Sequence, residues 1–214
     1  MYSCIWQAGN SSECPLMATQ FSMLGIMNAA LLAQGQLEIV SENDGSMEYR
    51  TMARNWPGVV EAELEDGAYF FTKQEAELVT RVPGQYEFSD GYVVPASALH
   101  VRNAWLMSAT GSKIEVDWVQ DSTHVYLNSP DGCWIEYAIC SEPDLWSANF
   151  VRGVQKRMEA IISRAIKEEF GEASQLDQEA EMYFQRARTN SSKARSAKQL
   201  YNKGPIASAR NRRG

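Results

Sequence analysis

The chain has 214 residues, of which 44% are apolar and 22% charged, with a formal net charge of −7. This composition is that of an ordinary globular protein and excludes a low-complexity or fibrous one. Its longest apolar stretch, Phe21–Ala33, is interrupted by polar residues and is too short to cross a bilayer. No basic segment precedes an apolar stretch at the N-terminus, so we expect a soluble, cytoplasmic protein without a membrane partner.

Charge is sorted along the chain. Residues 182–214 contain nine basic side chains and no acidic one, so all 27 acidic residues and only eleven of the 20 basic ones precede them. The first 181 residues therefore carry −16 and the end carries +9. Such sorting is typical of a protein whose basic arm binds an acidic or a nucleic-acid partner.

The N-terminal part predicts two helices. Thr19–Gln34 has apolar residues at helical spacing and is followed by a glycine, which favours a helix end. Ser46–Leu64 predicts a second helix with Ser46 as its cap, and Pro57 should kink or break it at the preceding residue. The aromatic run Ala68–Thr72 then anchors the helices against the following segment.

The middle of the chain predicts antiparallel sheet. Seven short runs rich in Val, Ile, Tyr and Trp are separated by Gly, Pro, Asp and Ser, the residues that favour turns. The runs are Leu78–Val82, Tyr86–Phe88, Tyr92–Val94, Ala98–Arg102, Lys113–Val119, His124–Leu127 and Trp134–Cys140.

Two more helices are predicted near the C-terminus. Trp146–Phe170 carries a continuous apolar stripe at helical spacing, with Asp144 or Ser147 as its cap and Gly171 as its end. A last helix is predicted from Ala173 or Ser174 to about Ala194. The pattern then fades into the basic end.

These elements predict an α+β fold. Its helical bundle is formed by the N- and C-terminal helices, with an inserted antiparallel β region and an extended C-terminal arm. The predicted divisions are a flexible leader (1–18), N-terminal helices (19–72), the β region (73–145), C-terminal helices that pack with the first pair (146–195) and the basic arm (196–214).

The sequence offers no recognisable catalytic or cofactor motif. No GxxxxGK[ST], GxGxxG, GxSxG or HExxH pattern occurs, and the two histidines, His100 and His124, fall in predicted strands. The four cysteines lack zinc-ligand spacing and are interpreted as free thiols; they are Cys4, Cys14, Cys133 and Cys140. We therefore expect no enzyme, no metal and no cofactor.

The order of these elements resembles the head-to-tail adaptor proteins of tailed bacteriophages, the tail tubular protein A-like family that also occurs in gene transfer agents. The resemblance covers roughly residues 19–200. It is carried by Leu32–Ile39, Ala68–Phe71, Tyr86, Val94–Pro95, Trp134–Ile139, Pro143–Trp146, Phe150 and the Ala-Arg pairs at 187–188 and 194–195.

This resemblance implies a structural virion protein that forms a ring, usually of twelve copies, at the head–tail junction after assembly in the host cytoplasm. Its partners would be the portal protein, a tail nozzle or tail-tube protein, and further copies of itself. DNA would pass through the channel without specific binding, which an acidic lumen favours because like charges repel.

The basic arm would then dock on the portal. Three apolar residues within it, Leu200, Tyr201 and Ile206, are predicted to fix the position of the arm, because a segment that orders on binding needs apolar anchors. The predicted docking residues are Arg195, Lys198, Leu200, Tyr201, Lys203, Ile206, Arg210, Arg212 and Arg213.

Other interpretations stay open at this point. The basic arm also suits a nucleic-acid-binding protein, although the acidic body is unfavourable for one. An enzyme of unrecognised class is the third possibility. For a ring, Trp105, Trp118 and Trp134 are candidates for the subunit contacts, with the core as the alternative place for them.

Overall fold

The computed structural model describes residues 21–41 and 45–194. Within these residues four α-helices and two four-stranded antiparallel sheets occur, so the α+β prediction is confirmed. The helices are α1 (Met23–Ala33), α2 (Met47–Asp66), α3 (Ala148–Ala165) and α4 (Phe170–Lys193). The strands are β1 (Lys73–Leu78), β2 (Arg81–Pro83), β3 (Asp90–Val93), β4 (Ala98–Met107), β5 (Lys113–Glu115), β6 (Trp118–Gln120), β7 (His124–Leu127) and β8 (Cys133–Ile139).

The ends of α1 are fixed by local hydrogen bonds. Ser22 caps it by accepting a hydrogen bond from the N–H of Gly25 at 3.0 Å. Gly35 follows in the left-handed region, with φ of 70°, and the N–H of Gln36 donates to the carbonyl of Leu31 at 2.9 Å. This last bond belongs to a Schellman motif, so the predicted glycine stop is correct. The predicted first residue of this helix lies outside the described part of the chain.

Helix α2 is not broken by its proline. Ser46 caps it as predicted, and the helix continues through Pro57 to Asp66. Met52 and Val60, on either side of the proline, are both buried in the same core. Their burial offsets the cost of the missing hydrogen bond, about 3 kcal/mol, so the prediction of a break is wrong, while the alternative of a kink stays a prediction.

The turn between α3 and α4 comes earlier than predicted. Ser147 caps α3 as expected, but the helix ends at Ala165 instead of Phe170. Glu168 takes a left-handed conformation, with φ of 58°, and the N–H of Glu169 donates to the carbonyl of Ser163 at 2.9 Å. Gly171 therefore lies in the first turn of α4 and does not end α3.

The two sheets have the strand orders β1-β8-β4-β5 and β2-β3-β7-β6. Two predicted runs are each divided between the sheets: Leu78–Val82 contributes to β1 and β2, and Lys113–Val119 contributes to β5 and β6. The predicted strand at Tyr86–Phe88 is wrong, because Tyr86 and Glu87 have positive φ angles of 53° and 70° and form a turn.

Buried residues form one core among the helices and another between the sheets. The helical core draws on α1, α2, α3 and α4, so helices from both halves of the chain contribute to it. The sheet core includes Leu78 and Ile135 of the first sheet and Tyr92 and Val125 of the second, which places the two sheets face to face. We call these parts the helical module and the sheet module.

Arg102 of β4 joins the two modules. Its guanidinium donates hydrogen bonds to the carbonyls of Gly67 at 2.8 Å and Tyr69 at 3.4 Å, and to Oγ1 of Thr72 at 2.9 Å. Tyr69 is buried and packs edge-on against Phe150 of α3, with ring centroids 4.8 Å apart. The aromatic run after α2 therefore contacts both modules, as the sequence predicts.

Candidate functional site

All nine residues of the predicted docking arm lie outside the described part of the chain. They are Arg195, Lys198, Leu200, Tyr201, Lys203, Ile206, Arg210, Arg212 and Arg213. The structure does describe the segment from which the arm leaves, because α4 ends at Lys193 and Ala194 caps it. Three of the nine cations in the acid-free segment, Arg186, Arg188 and Lys193, lie on this helix.

Arg188 forms ion pairs within the folded body. Its guanidinium lies 3.0 Å from carboxylate oxygens of Glu63, Asp66 and Glu181. These partners come from α2 and from the preceding turns of α4, in the part of the chain that carries the excess of negative charge. One cation of the acid-free segment is therefore neutralised by the body, and the charge sorting is less complete in space than along the chain.

The Arg188 contacts extend into a network of ion pairs. Arg157 of α3 approaches Glu63 at 3.6 Å and Asp177 of α4 at 3.0 Å. Burial raises the pKa of Glu63 above its ordinary value, while the charges of Arg188 and Arg157 act to lower it. The network therefore ties together α2, α3 and α4 at the base of the arm.

The other two cations remain on the free face of α4. Arg186 lies over the ring of Tyr183 at 5.5 Å, and neither it nor Lys193 forms an ion pair with a described carboxylate. Both line an open groove of about 450 Å³, which we call the α4 groove. It is lined by Asn149, Met182, Gln185, Arg186, Thr189, Asn190 and Lys193. Acidic side chains are missing from this lining, and Met182 adds an exposed apolar surface.

The link after α1 presents apolar side chains to solvent. We call residues 36–41 the α1–α2 link. Asn28 holds its centre with two hydrogen bonds: its amide nitrogen donates to the carbonyl of Ile39 at 3.0 Å, and its amide oxygen accepts from the N–H of Ile39 at 2.8 Å. Ile39 is buried, whereas Leu37 is 85% exposed and Val40 is 89% exposed. The link is therefore fixed in position with two aliphatic side chains directed outward.

The tryptophans proposed for ring contacts have different environments. Trp105 is only 2% exposed, and the ammonium of Lys113 lies 3.6 Å from its ring centroid, so this residue belongs to the interior. Lys113 of the neighbouring strand covers its ring, so almost none of the Trp105 side chain is open to a subunit contact. Trp118 and Trp134 are half-buried, and Trp118 packs against the sheet core.

One cluster resembles a nucleophile with a base. The hydroxyl of Thr123 lies 2.8 Å from Nδ1 of His124, and a carboxylate oxygen of Asp121 lies 3.5 Å from the same nitrogen. A catalytic triad needs its hydroxyl and its carboxylate on opposite ring nitrogens. The backbone N–H of Thr123, together with that of His124, lowers the pKa of Asp121 to about 2, as expected for a turn. We therefore interpret the cluster as a turn.

Within residues 21–41 and 45–194, no group of three or more His, Cys, Asp or Glu side chains is arranged to hold a metal ion. Among the described helices, none has the length and apolar character needed to span a membrane. His100 lies in β4, where burial and the nearby Arg102 lower its pKa. Of the cysteines in the described part, Cys133 is buried and Cys140 is exposed.

The chain was also compared with known proteins. No protein-family model matches it, and the search of curated proteins finds no significant match.

Proposed function

We propose that this chain is a structural virion protein, a head-to-tail adaptor whose copies form a ring, twelve by the resemblance, that joins the portal to the tail. The ring surrounds the channel through which DNA passes. The partners of each subunit are the portal protein, a tail nozzle or tail-tube protein, and its neighbours in the ring.

The proposal rests on the positive charge of α4 that has no ion-pair partner among the described residues, together with the positive charge that follows α4 in the sequence. Only Arg188 among the described cations of the acid-free segment pairs with body carboxylates. Arg186 and Lys193 face the α4 groove, and six further cations follow Ala194 in the sequence. A segment with this excess is suited to an acidic partner, because opposite charges steer association and fix orientation.

The body supports the same interpretation. With −16 over its first 181 residues, a ring of such subunits repels the phosphates of a passing duplex and so keeps it from adhering. The described residues contain a helical module fastened to a sheet module by Arg102. Two joined modules give a subunit separate surfaces for the head side and the tail side.

A binding experiment with two variants tests the proposal. The full chain is mixed with the portal ring encoded in the same genome, and the complex is imaged by electron microscopy to count subunits. Deleting residues 196–214 should abolish binding while the circular dichroism spectrum of the folded body is unchanged. Replacing Leu200, Tyr201 and Ile206 by Ser keeps every cation and should still reduce binding at least tenfold, because the anchors are lost.

A DNA-binding measurement distinguishes the proposed adaptor from a nucleic-acid-binding protein. Duplex DNA is titrated with the full chain at low and at physiological salt. Tight DNA binding with a steep salt dependence, together with no binding to the portal, would refute the adaptor and favour the nucleic-acid interpretation. Unchanged portal binding by the truncated chain would refute the role of the arm.

A further inference from the structure

The α1–α2 link and the α4 groove are complementary in chemistry. The link offers two aliphatic side chains, Leu37 and Val40, on either side of Glu38, which is exposed and forms no ion pair with a described residue. The groove offers the apolar surface of Met182 together with two cations, and among the described residues no acidic group pairs with these cations or lines the groove. The α1–α2 link, which combines an acidic with two aliphatic side chains, is thus complementary in charge and polarity to the α4 groove, which is basic and partly apolar.

The link and the groove do not meet within one copy of the described chain. The link is held beside α1, because Asn28 hydrogen-bonds the backbone of Ile39, and none of its residues lines the groove. The groove is formed by the exposed face of α4 together with Asn149 in the first turn of α3. Within the described residues, both surfaces are therefore open to a second copy.

We propose that the α1–α2 link of one copy docks in the α4 groove of a second copy, with Glu38 against Arg186 and Lys193. Leu37 and Val40 cover the exposed part of Met182. Such a contact joins two different surfaces, so it is heterologous, and repetition of it closes a ring when the rotation between copies allows. Ring closure rests on the proposed adaptor function, whereas the contact between two copies does not.

The position of the link is fixed before docking. Both hydrogen-bonding groups of the Asn28 side chain hold the backbone of Ile39, and Ile39 itself is buried, so Leu37 and Val40 cannot turn inward together without breaking these contacts. A fixed segment loses less conformational entropy on binding than a free one does. Asn28 is thus a positioning residue for the contact.

Photo-cross-linking tests which surfaces meet. A benzophenone amino acid replaces Leu37 in a ¹⁵N-labelled full chain, which is mixed with unlabelled chain of normal sequence at high concentration and, separately, on the portal ring. After irradiation, mass spectrometry identifies the linked peptides. The expected product joins residue 37 of a heavy copy to residues 182–193 of a light copy. Cross-links within one copy, cross-links to other segments of the partner, or no cross-link would each overturn the contact.

Charge reversal provides a second test of the same contact. Glu38→Lys and Arg186→Glu should each weaken association of the copies roughly fivefold, and the double variant should recover most of the loss. Glu77→Lys, on the exposed side of β1, is the matched control and should have no effect. Leu37→Ser should weaken association about tenfold, with Val79→Ser as its control on an exposed apolar residue of the sheet module.

The outcomes distinguish this contact from the adaptor function. Rings on the portal that are unaffected by Glu38→Lys and Arg186→Glu would refute the contact and leave the adaptor proposal in place. A link-to-groove cross-link between copies, without any ring on the portal, would support the contact and refute the adaptor. Asn28→Ala should weaken association even though it alters no residue of the docked surfaces, and unchanged association would refute Asn28 as a positioning residue.

Discussion

Replacing Arg188 by Met tests the ion-pair network at the base of the arm. The guanidinium contacts three carboxylates, and Glu63 is the most buried of them, with its side chain 12% exposed. Methionine keeps much of the volume and the helix propensity of arginine, so that the substitution removes mainly the charge and the hydrogen bonds. Among the described cations, Glu63 then retains only Arg157, at 3.6 Å.

The expected cost follows from the geometry. At 3.0 Å and an effective dielectric constant of about 20, the attraction between Arg188 and Glu63 is about 5 kcal/mol before desolvation is considered. The Arg188 side chain is 28% exposed, so the pair lies between an exposed one, at about 0–1 kcal/mol, and a buried one, at about 3–5 kcal/mol. We expect Arg188→Met to lower the free energy of unfolding by about 2 kcal/mol.

Urea denaturation at two pH values measures this cost. Near neutral pH the midpoint should fall by roughly 0.8 M, for a slope of about 2.5 kcal/mol/M. Burial already raises the pKa of Glu63 above 4.5, and loss of Arg188 raises it further. A carboxyl whose pKa is higher in the folded state destabilises the fold when ionised, and this penalty disappears as the pH falls below the raised value. The difference in the free energy of unfolding between Arg188→Met and the unsubstituted protein should therefore shrink as the pH falls toward about 4.5.

Two comparisons make the test specific. Arg186→Met removes a cation two residues earlier on the same helix, on the exposed face, and should cost less than about 0.5 kcal/mol. Glu63→Gln combined with Arg188→Met should cost less than the sum of the single changes, because no buried charge is left alone. A loss below about 0.5 kcal/mol for Arg188→Met, or a loss that grows toward acidic pH, would show that the network does not stabilise the fold as argued.

Two further predictions concern packing and thiol chemistry. A methyl group on Gly153 would lie 2.5 Å from the ring of Phe184, so Gly153→Ala should destabilise the fold by about 1–3 kcal/mol. A methyl group on Gly58 meets no described atom within 4 Å, so Gly58→Ala should be neutral or stabilise by up to about 1 kcal/mol, and thermal unfolding distinguishes the two variants. In a variant whose two N-terminal cysteines are serine, iodoacetamide should label Cys140 in the native state and leave Cys133 unmodified until urea is added, because burial raises the pKa of Cys133 to about 12. Equal labelling rates in the native protein would contradict this burial.

Local sequence was sufficient for most helix boundaries. Ser46 and Ser147 accept hydrogen bonds from N–H groups in the first turns of their helices, and Gly35 takes the positive φ angle that ends α1. Each of these interactions joins residues within a few positions of one another, so the residue types predict them directly. The α+β class followed from the same local patterns.

Strand boundaries depended on partners that are distant in the sequence. Lys113–Val119 has the alternation of a single strand, yet its first residues pair with β4 in one sheet and its last residues pair with β7 in the other. Pairing with two different strands divides the run, and no residue within it signals the change. The burial of Trp105 could not be predicted from the residues around it either, because the Lys113 that covers its ring comes from the neighbouring strand.

The sequence by itself determined the fold class, most helix ends and the sorting of charge, since composition, spacing and caps act over short distances. Only the tertiary structure decided how that charge is used. It pairs Arg188 with Glu63, 125 residues away, and leaves Arg186 beside an open groove. It also fixes the α1–α2 link on Asn28 with its aliphatic side chains exposed. These differences arise from packing between helices that are far apart in the chain, because the distance between charges, which sets their interaction, is known only after the chain has folded.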